Sequence, residues 1–115
     1  MTRGPDGAGP PPYDARMLVI NVAMTIDPAR RADLVAAAIT MQQASRPEAG
    51  CHHYVFAADL EHDDVFHIAE KWEDQASLDA HFATPHMAAF QAAVAGAVKG
   101  MKAAKYEIAA ELPLR

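Results

Sequence analysis

Several things are scarce in this chain, and each shortage removes a class of function. There is one cysteine, Cys51, in 115 residues, so no internal disulfide can form, and a reducing, cytoplasmic setting is the expectation. No apolar run approaches the roughly 18 residues that a membrane-spanning helix needs, and the first sixteen residues lack the apolar block of a signal peptide. Cations are outnumbered: ten Lys and Arg against fifteen Asp and Glu give a formal net charge of −5. That balance argues against nucleic acid and anionic membrane as partners. Lys99, Lys102 and Lys105 are expected near a helix end, where cations are favourable, and they make no basic patch. The pairs and singles His52, His53, His62 and His67 scatter over both strand faces and a turn. No acid or thiol closes a ligand set around them, so neither a metal centre nor another cofactor is expected.

What is present is an ordinary globular balance, 51% hydrophobic and 22% charged, enough for one core in one domain. Residues 1–15 are rich in Gly and Pro and have almost nothing to bury. They are expected to form a disordered leader with a short polyproline stretch, ahead of a domain spanning residues 16–112.

The domain opens with MLVINVAMTI (residues 17–26), apolar at nearly every position, as in a strand buried on both faces. Leu18, Ile20, Val22, Met24 and Ile26 share one face. Asn21 lies on the other, and its amide must find partners, either in a neighbouring loop or in a pocket. Asp27-Pro28 reads as a cap followed by proline in a first turn. Leu34, Ala38 and Met41 then mark a helix ending near Ser45-Arg46, before Pro47. Residues 51–59 alternate again, and a polar connection at 60–63 leads to a return strand. The hairpin so centred sets His53 opposite Glu70 and Phe56 opposite His67.

The chain is organised around residues 65–90. Phe66, Ile68, Glu70 and Trp72 fall on one face of a strand. Asp74 can cap a helix carrying Leu78, His81 and Phe82, and Thr84-Pro85 ends it and caps a second, with Met87, Phe90 and Val94. Gly100 is a plausible stop for that helix, and residues 106–110 read as a last short strand. The order is strand, helix, strand, strand, helix pair, strand: an α+β fold on the ferredoxin-like βαββαβ plan, helices on one face of an antiparallel sheet. Its other face needs a cover, which a second copy packed sheet to sheet would supply, so a homodimer is expected.

The motifs E-x-G-C-H-x-Y (residues 48–54), E-x-W (70–72) and L-x-A-H-x-x-T-P-H-M (78–87) together resemble the antibiotic biosynthesis monooxygenase (ABM) family, most of all its bacterial quinol monooxygenases. The resemblance spans roughly residues 17–110. It implies a dimeric α+β barrel with a pocket between sheet and helices in each protomer. It also implies, for some members, oxidation of quinols or polyketide anthrones by O2 without flavin, haem or metal.

Such chemistry needs a base of near-neutral pKa, a donor for the substrate oxyanion, and apolar walls that exclude water. His81 and Glu70 are the candidate proton acceptors. Asn21, Tyr54, Phe66, Trp72, His86, Met87 and Phe90 are the candidates for binding an aromatic substrate. Each has a structural alternative. His81 can pack on the sheet while bonding a backbone carbonyl or Glu70, and His86 can be an exposed first-turn residue. Glu70 can pair with a histidine or Lys71, and Phe66, Trp72 and Phe90 can simply be core. Haem degradation, a rival within the same fold, would want a helix tryptophan and a histidine ten residues later, where this chain has His81 and Gln91. A phosphosugar isomerase would want a basic site, yet residues 72–90 hold no Arg and no Lys. The non-enzymatic alternative is a dimeric module that binds an aromatic ligand without turning it over. The two readings separate on whether the helix-pair histidines face a cavity.

Overall fold

The computed structural model describes residues 16–115; the expected leader over residues 1–15 lies outside the described residues. Four strands, β1 (Leu18–Ile26), β2 (Cys51–Ala58), β3 (Val65–Trp72) and β4 (Val98–Glu107), form one antiparallel sheet in the order β2-β3-β1-β4. With α1 (Arg31–Ser45), α2 (Gln75–Phe82) and α3 (Pro85–Ala93), this is the ferredoxin-like arrangement. Leu18, Ile20, Val22, Met24 and Ile26 are all buried toward the helices. The intervening Asn21 and Thr25 are exposed on the outer face. None of the helices among the described residues is long and apolar enough to cross a membrane.

The local signals act where the sequence puts them. Asp27 accepts a hydrogen bond from the Ala29 amide and starts a 3-10 turn, Pro28–Arg30, that runs into α1. Asp74 accepts from the Ser77 amide at 2.8 Å, and Thr84 accepts from Met87 at the start of α3. Each satisfies a first-turn donor that the helix itself leaves free. Side chains of α1 and its C-cap hold the edge strand β2: Arg46 Nε donates to the Tyr54 carbonyl and the Gln42 amide oxygen accepts from Phe56 N.

Two expectations are corrected. β4 begins at Val98, not Tyr106, so Gly100 lies within a strand and the three lysines sit on β4 rather than on a helix end. The chain leaves α3 at Ala93 and turns at Gly96, whose φ of +79° only glycine adopts cheaply. The hairpin register is also shifted by one residue. Cys51 pairs with Trp72, but a bulge before His53 slips the rest, so Tyr54 faces Glu70 and Phe56 faces Ile68. The extra residue inverts which side chains point inward: Tyr54 is buried beside Glu70, and His53 is exposed on the far face.

Candidate functional site

The turn between α1 and β2 brings an unexpected residue to the centre. Gly50, at φ +82°, packs so tightly on the start of α2 that a Cβ there would collide with the Ser77 side chain. Glu73 N donates to the Gly50 carbonyl at 2.7 Å. So pinned, the turn carries Glu48 beneath the bend between α2 and α3. Thr84 shapes that bend from the other side, its hydroxyl donating to the His81 carbonyl at 2.8 Å. His81 at the end of α2 and His86 at the start of α3 therefore converge on one carboxylate oxygen. His81 Nδ1 and His86 Nε2 each lie 2.7 Å from Glu48 Oε2. The sequence offered Glu48 only as the first letter of a motif; its partners stand 33 and 38 residues away.

His81 is fully buried, packed with tilted rings between Trp72 and Tyr54 at ring separations of 4.7 and 5.3 Å. Its second nitrogen, Nε2, is buried without a hydrogen-bond partner among the described residues. Neighbouring Glu70 is also buried, and its Oε1 accepts from Trp72 Nε1 at 2.9 Å. Burial raises the Glu70 carboxyl above the ordinary range, against the opposing pull of the indole N–H and His81. Burial likewise raises the Tyr54 phenol, with Glu70 and Glu48 adding to the effect. The expected partners of Glu70 go elsewhere: Lys71 reaches Glu111, and His81 takes Glu48.

Beside this array a cleft of about 460 Å³ opens between the sheet and α3. Its walls are Ile20, Val22, Met24, Ile68, Met87, Phe90 and Val94, with Tyr54, Glu70 and Gln91 as its polar side chains. Of the residues proposed from sequence, Tyr54, Glu70, Met87 and Phe90 meet here. His81 and Trp72 stand behind Tyr54 and do not line the cleft. His86 faces a different hollow, a groove between α1 and α3. Phe66 packs under the Arg31 guanidinium, 5.2 Å from its ring centre, in a hollow near α1. Asn21 lies on the outer face with His67 and Lys102, apart from all of these. Glu48, His81 and His86 place three possible ligand atoms within 4.8 Å of one another, a set the sequence reading did not foresee.

Comparison with known proteins gives a consistent result. The family model for antibiotic biosynthesis monooxygenase matches residues 17–93. An uncharacterized protein of Synechocystis is 33% identical over 73 residues, covering 64% of this chain; the chain spans only half of that relative's length. YcnE of Bacillus subtilis, named only provisionally as a monooxygenase, is 29% identical over 76 residues, covering 66% of this chain and 80% of its own. Among solved structures, a Bacteroides thetaiotaomicron protein of unknown function superposes with a TM-score of 0.76 at 29% identity, over 82% of this chain and 99% of that one. A Deinococcus radiodurans protein shares the fold at a TM-score of 0.78 and 23% identity, over 85% of this chain and 98% of that one.

Proposed function

Since the chain belongs to the antibiotic biosynthesis monooxygenase family, whose members point to a monooxygenase-type activity, we propose that it oxidises a quinol, related polyphenol or anthrone with O2 in the cleft beside α3, without a cofactor. The observation that carries this reading is the cleft itself, an apolar chamber with a buried carboxylate and a phenol on its sheet wall. Triplet O2 reacts slowly with closed-shell molecules, so the protein must make the substrate electron-rich by taking its proton and keeping water away. In this reading Glu70 performs the first task. Its carboxyl sits above the usual range because it is buried, and Trp72 holds one oxygen while the other is free to share a substrate hydroxyl. The Tyr54 phenol, raised by burial, stays protonated and can donate to the aryloxide. His81, the proton acceptor expected from the sequence, stands one ring behind Tyr54 and acts on the substrate only through the position of that phenol. Converting an anthrone methylene to a carbonyl, or a quinol to a hydroxyquinone, puts one atom of O2 into the ring and releases the other as water. No external reductant is needed.

The protein is taken to work as a homodimer in the cytoplasm, its outer sheet face covered by a second copy. A second reading, binding of an aromatic ligand without turnover, uses the same cleft and gains support from the finding that neither helix histidine lines it. Isomerisation of a phosphorylated sugar is disfavoured, because the cleft walls include no Lys and no Arg.

The test is oxygen consumption by metal-stripped protein on hydroquinones, naphthohydroquinones and anthrones, counted above spontaneous oxidation. The expected result is a protein-dependent excess that survives chelator and falls by about a hundredfold in Glu70→Gln or His81→Ala. Ligand binding with no excess on any substrate would replace this proposal with the binding-module reading.

A further inference from the structure

Resting on the oxidation reading above for the substrate class, we propose that Gln91 is a specificity residue of the cleft. Its amide holds a second substrate oxygen, on the edge of the ring system remote from the hydroxyl at Glu70. It thereby selects ring systems with oxygen at both ends over monophenols.

Met87, Phe90, Gln91 and Val94 recur at helical spacing along α3 and its C-cap, and all four line the cleft. Three of them are apolar, and Gln91 is the one polar member of the stripe. The cleft also has a direction. At its sheet wall Tyr54 and Glu70 are only 3% and 8% exposed. Gln91 is exposed, as are Phe82 and Met101, which also line the cleft. A flat aromatic with one hydroxyl at Glu70 therefore turns its far edge toward α3 and the mouth, where Gln91 supplies the polar group.

The other amides nearby are occupied. Gln42 accepts from Phe56 N, and Gln75 donates to Asp79 and accepts from Lys105, whereas Gln91 has no such partner among the described residues. A carboxamide also suits both ends of the reaction, because it carries a donor and an acceptor. It accepts from the second hydroxyl of a quinol and, after rotating, donates to the carbonyl oxygen that replaces that hydroxyl in the quinone. A carboxylate there could only accept, and an ammonium could only donate. With no Lys or Arg on the walls, nothing compensates a charged substituent, so the second oxygen is a neutral hydroxyl or carbonyl. An anthrone, whose far edge is a methylene, leaves the amide without a ligand partner and is the poorer fit.

Three ligands, titrated calorimetrically into the full chain under argon, test this. They are a naphthohydroquinone methylated on both carbons between its oxygens, the corresponding quinone, and the naphthol lacking the second oxygen. The methyl groups also keep the quinone from adding to the Cys51 thiol. The wild type should bind the hydroquinone about tenfold more tightly than the naphthol. Gln91→Met, of matching length and high helix propensity, should weaken the hydroquinone and the quinone each about tenfold and the naphthol much less. Gln91→Glu should hold the hydroquinone but weaken the quinone about tenfold, a split that a merely structural role would not produce. Equal affinity of the wild type for hydroquinone and naphthol overturns the proposal. So does a Gln91→Met variant that binds all three as the wild type does, or failure of all three to bind. Oxygen uptake on the unmethylated hydroquinone, run alongside, reads the oxidation proposal separately. Uptake without the binding preference removes the role of Gln91 alone, whereas the preference without uptake removes the oxidation reading and keeps the amide contact.

Discussion

Glu70 shows how one buried side chain sets a pH dependence for the whole fold. Its carboxyl binds a proton more readily in the folded chain than in the unfolded one, because burial disfavours the charge. Folding therefore gains from Glu70 below the ordinary glutamate value of 4.5, and the gain is lost as pH rises through the raised folded value. Glu70→Gln keeps an oxygen for the Trp72 N–H but removes the charge. In urea denaturation at pH 7 the variant should be more stable than the wild type, and the difference should shrink as pH falls toward 4. Gly50 matters for a different reason. Gly50→Ala places a side chain at positive φ and against Ser77, so a loss of about 2 kcal/mol is expected on the same assay. The displaced turn should also weaken the hold of Glu48 on its two histidines. At this scale the sequence was legible where chemistry and pattern coincide, as in Glu70 beside Trp72 on an alternating strand. It was silent on Glu48, because an acid in a Pro-Glu-Ala-Gly turn looks like any solvated turn residue until the fold brings α2 and α3 over it. Asn21 misled for the converse reason: an amide in an apolar run suggests a pocket, whereas the strand alternation turns it to the opposite face.

The elements were legible in proportion to how locally they are determined. Asp27, Asp74 and Thr84 are caps whose hydrogen bonds close within three residues, and they start the 3-10 turn ahead of α1, then α2 and α3. Thr84→Ala should cost about 1 kcal/mol of stability by thermal or chemical denaturation. It should also loosen the bend, since the same hydroxyl holds the His81 carbonyl. Thr84→Ser should recover most of both. β4 was misplaced because its run of alanines and lysines at every third position has helical character, while its strand state is imposed by pairing with β1. The β2–β3 register failed at a single residue, and a bulge is a property of two strands together, invisible in either alone.

At the scale of the molecule, the outer sheet face presents Val19, Ala23, Val55, Val65, Ala69 and Ala104, mixed with His53, His67, Lys71 and Lys102. Small apolar groups at the middle of a sheet with polar groups around them suit close approach of a second sheet. Light scattering at micromolar concentration should give twice the mass of the chain, and Ala69→Glu at the centre should halve it while leaving the far-ultraviolet circular dichroism unchanged. A wild-type monomer would remove the dimer from the functional proposal. The ferredoxin-like architecture itself was the most legible feature, because alternation, caps and element order all agree on it. The Arg46 and Gln42 side chains have one more effect. They occupy main-chain groups along the outer margin of β2 at Tyr54 and Phe56, while β4 ends the sheet on the other side without a neighbouring strand among the described residues. With these two groups taken, β2 offers fewer free main-chain groups to an added strand than β4 does. Edge-to-edge contact between copies is therefore favoured at β4 over β2.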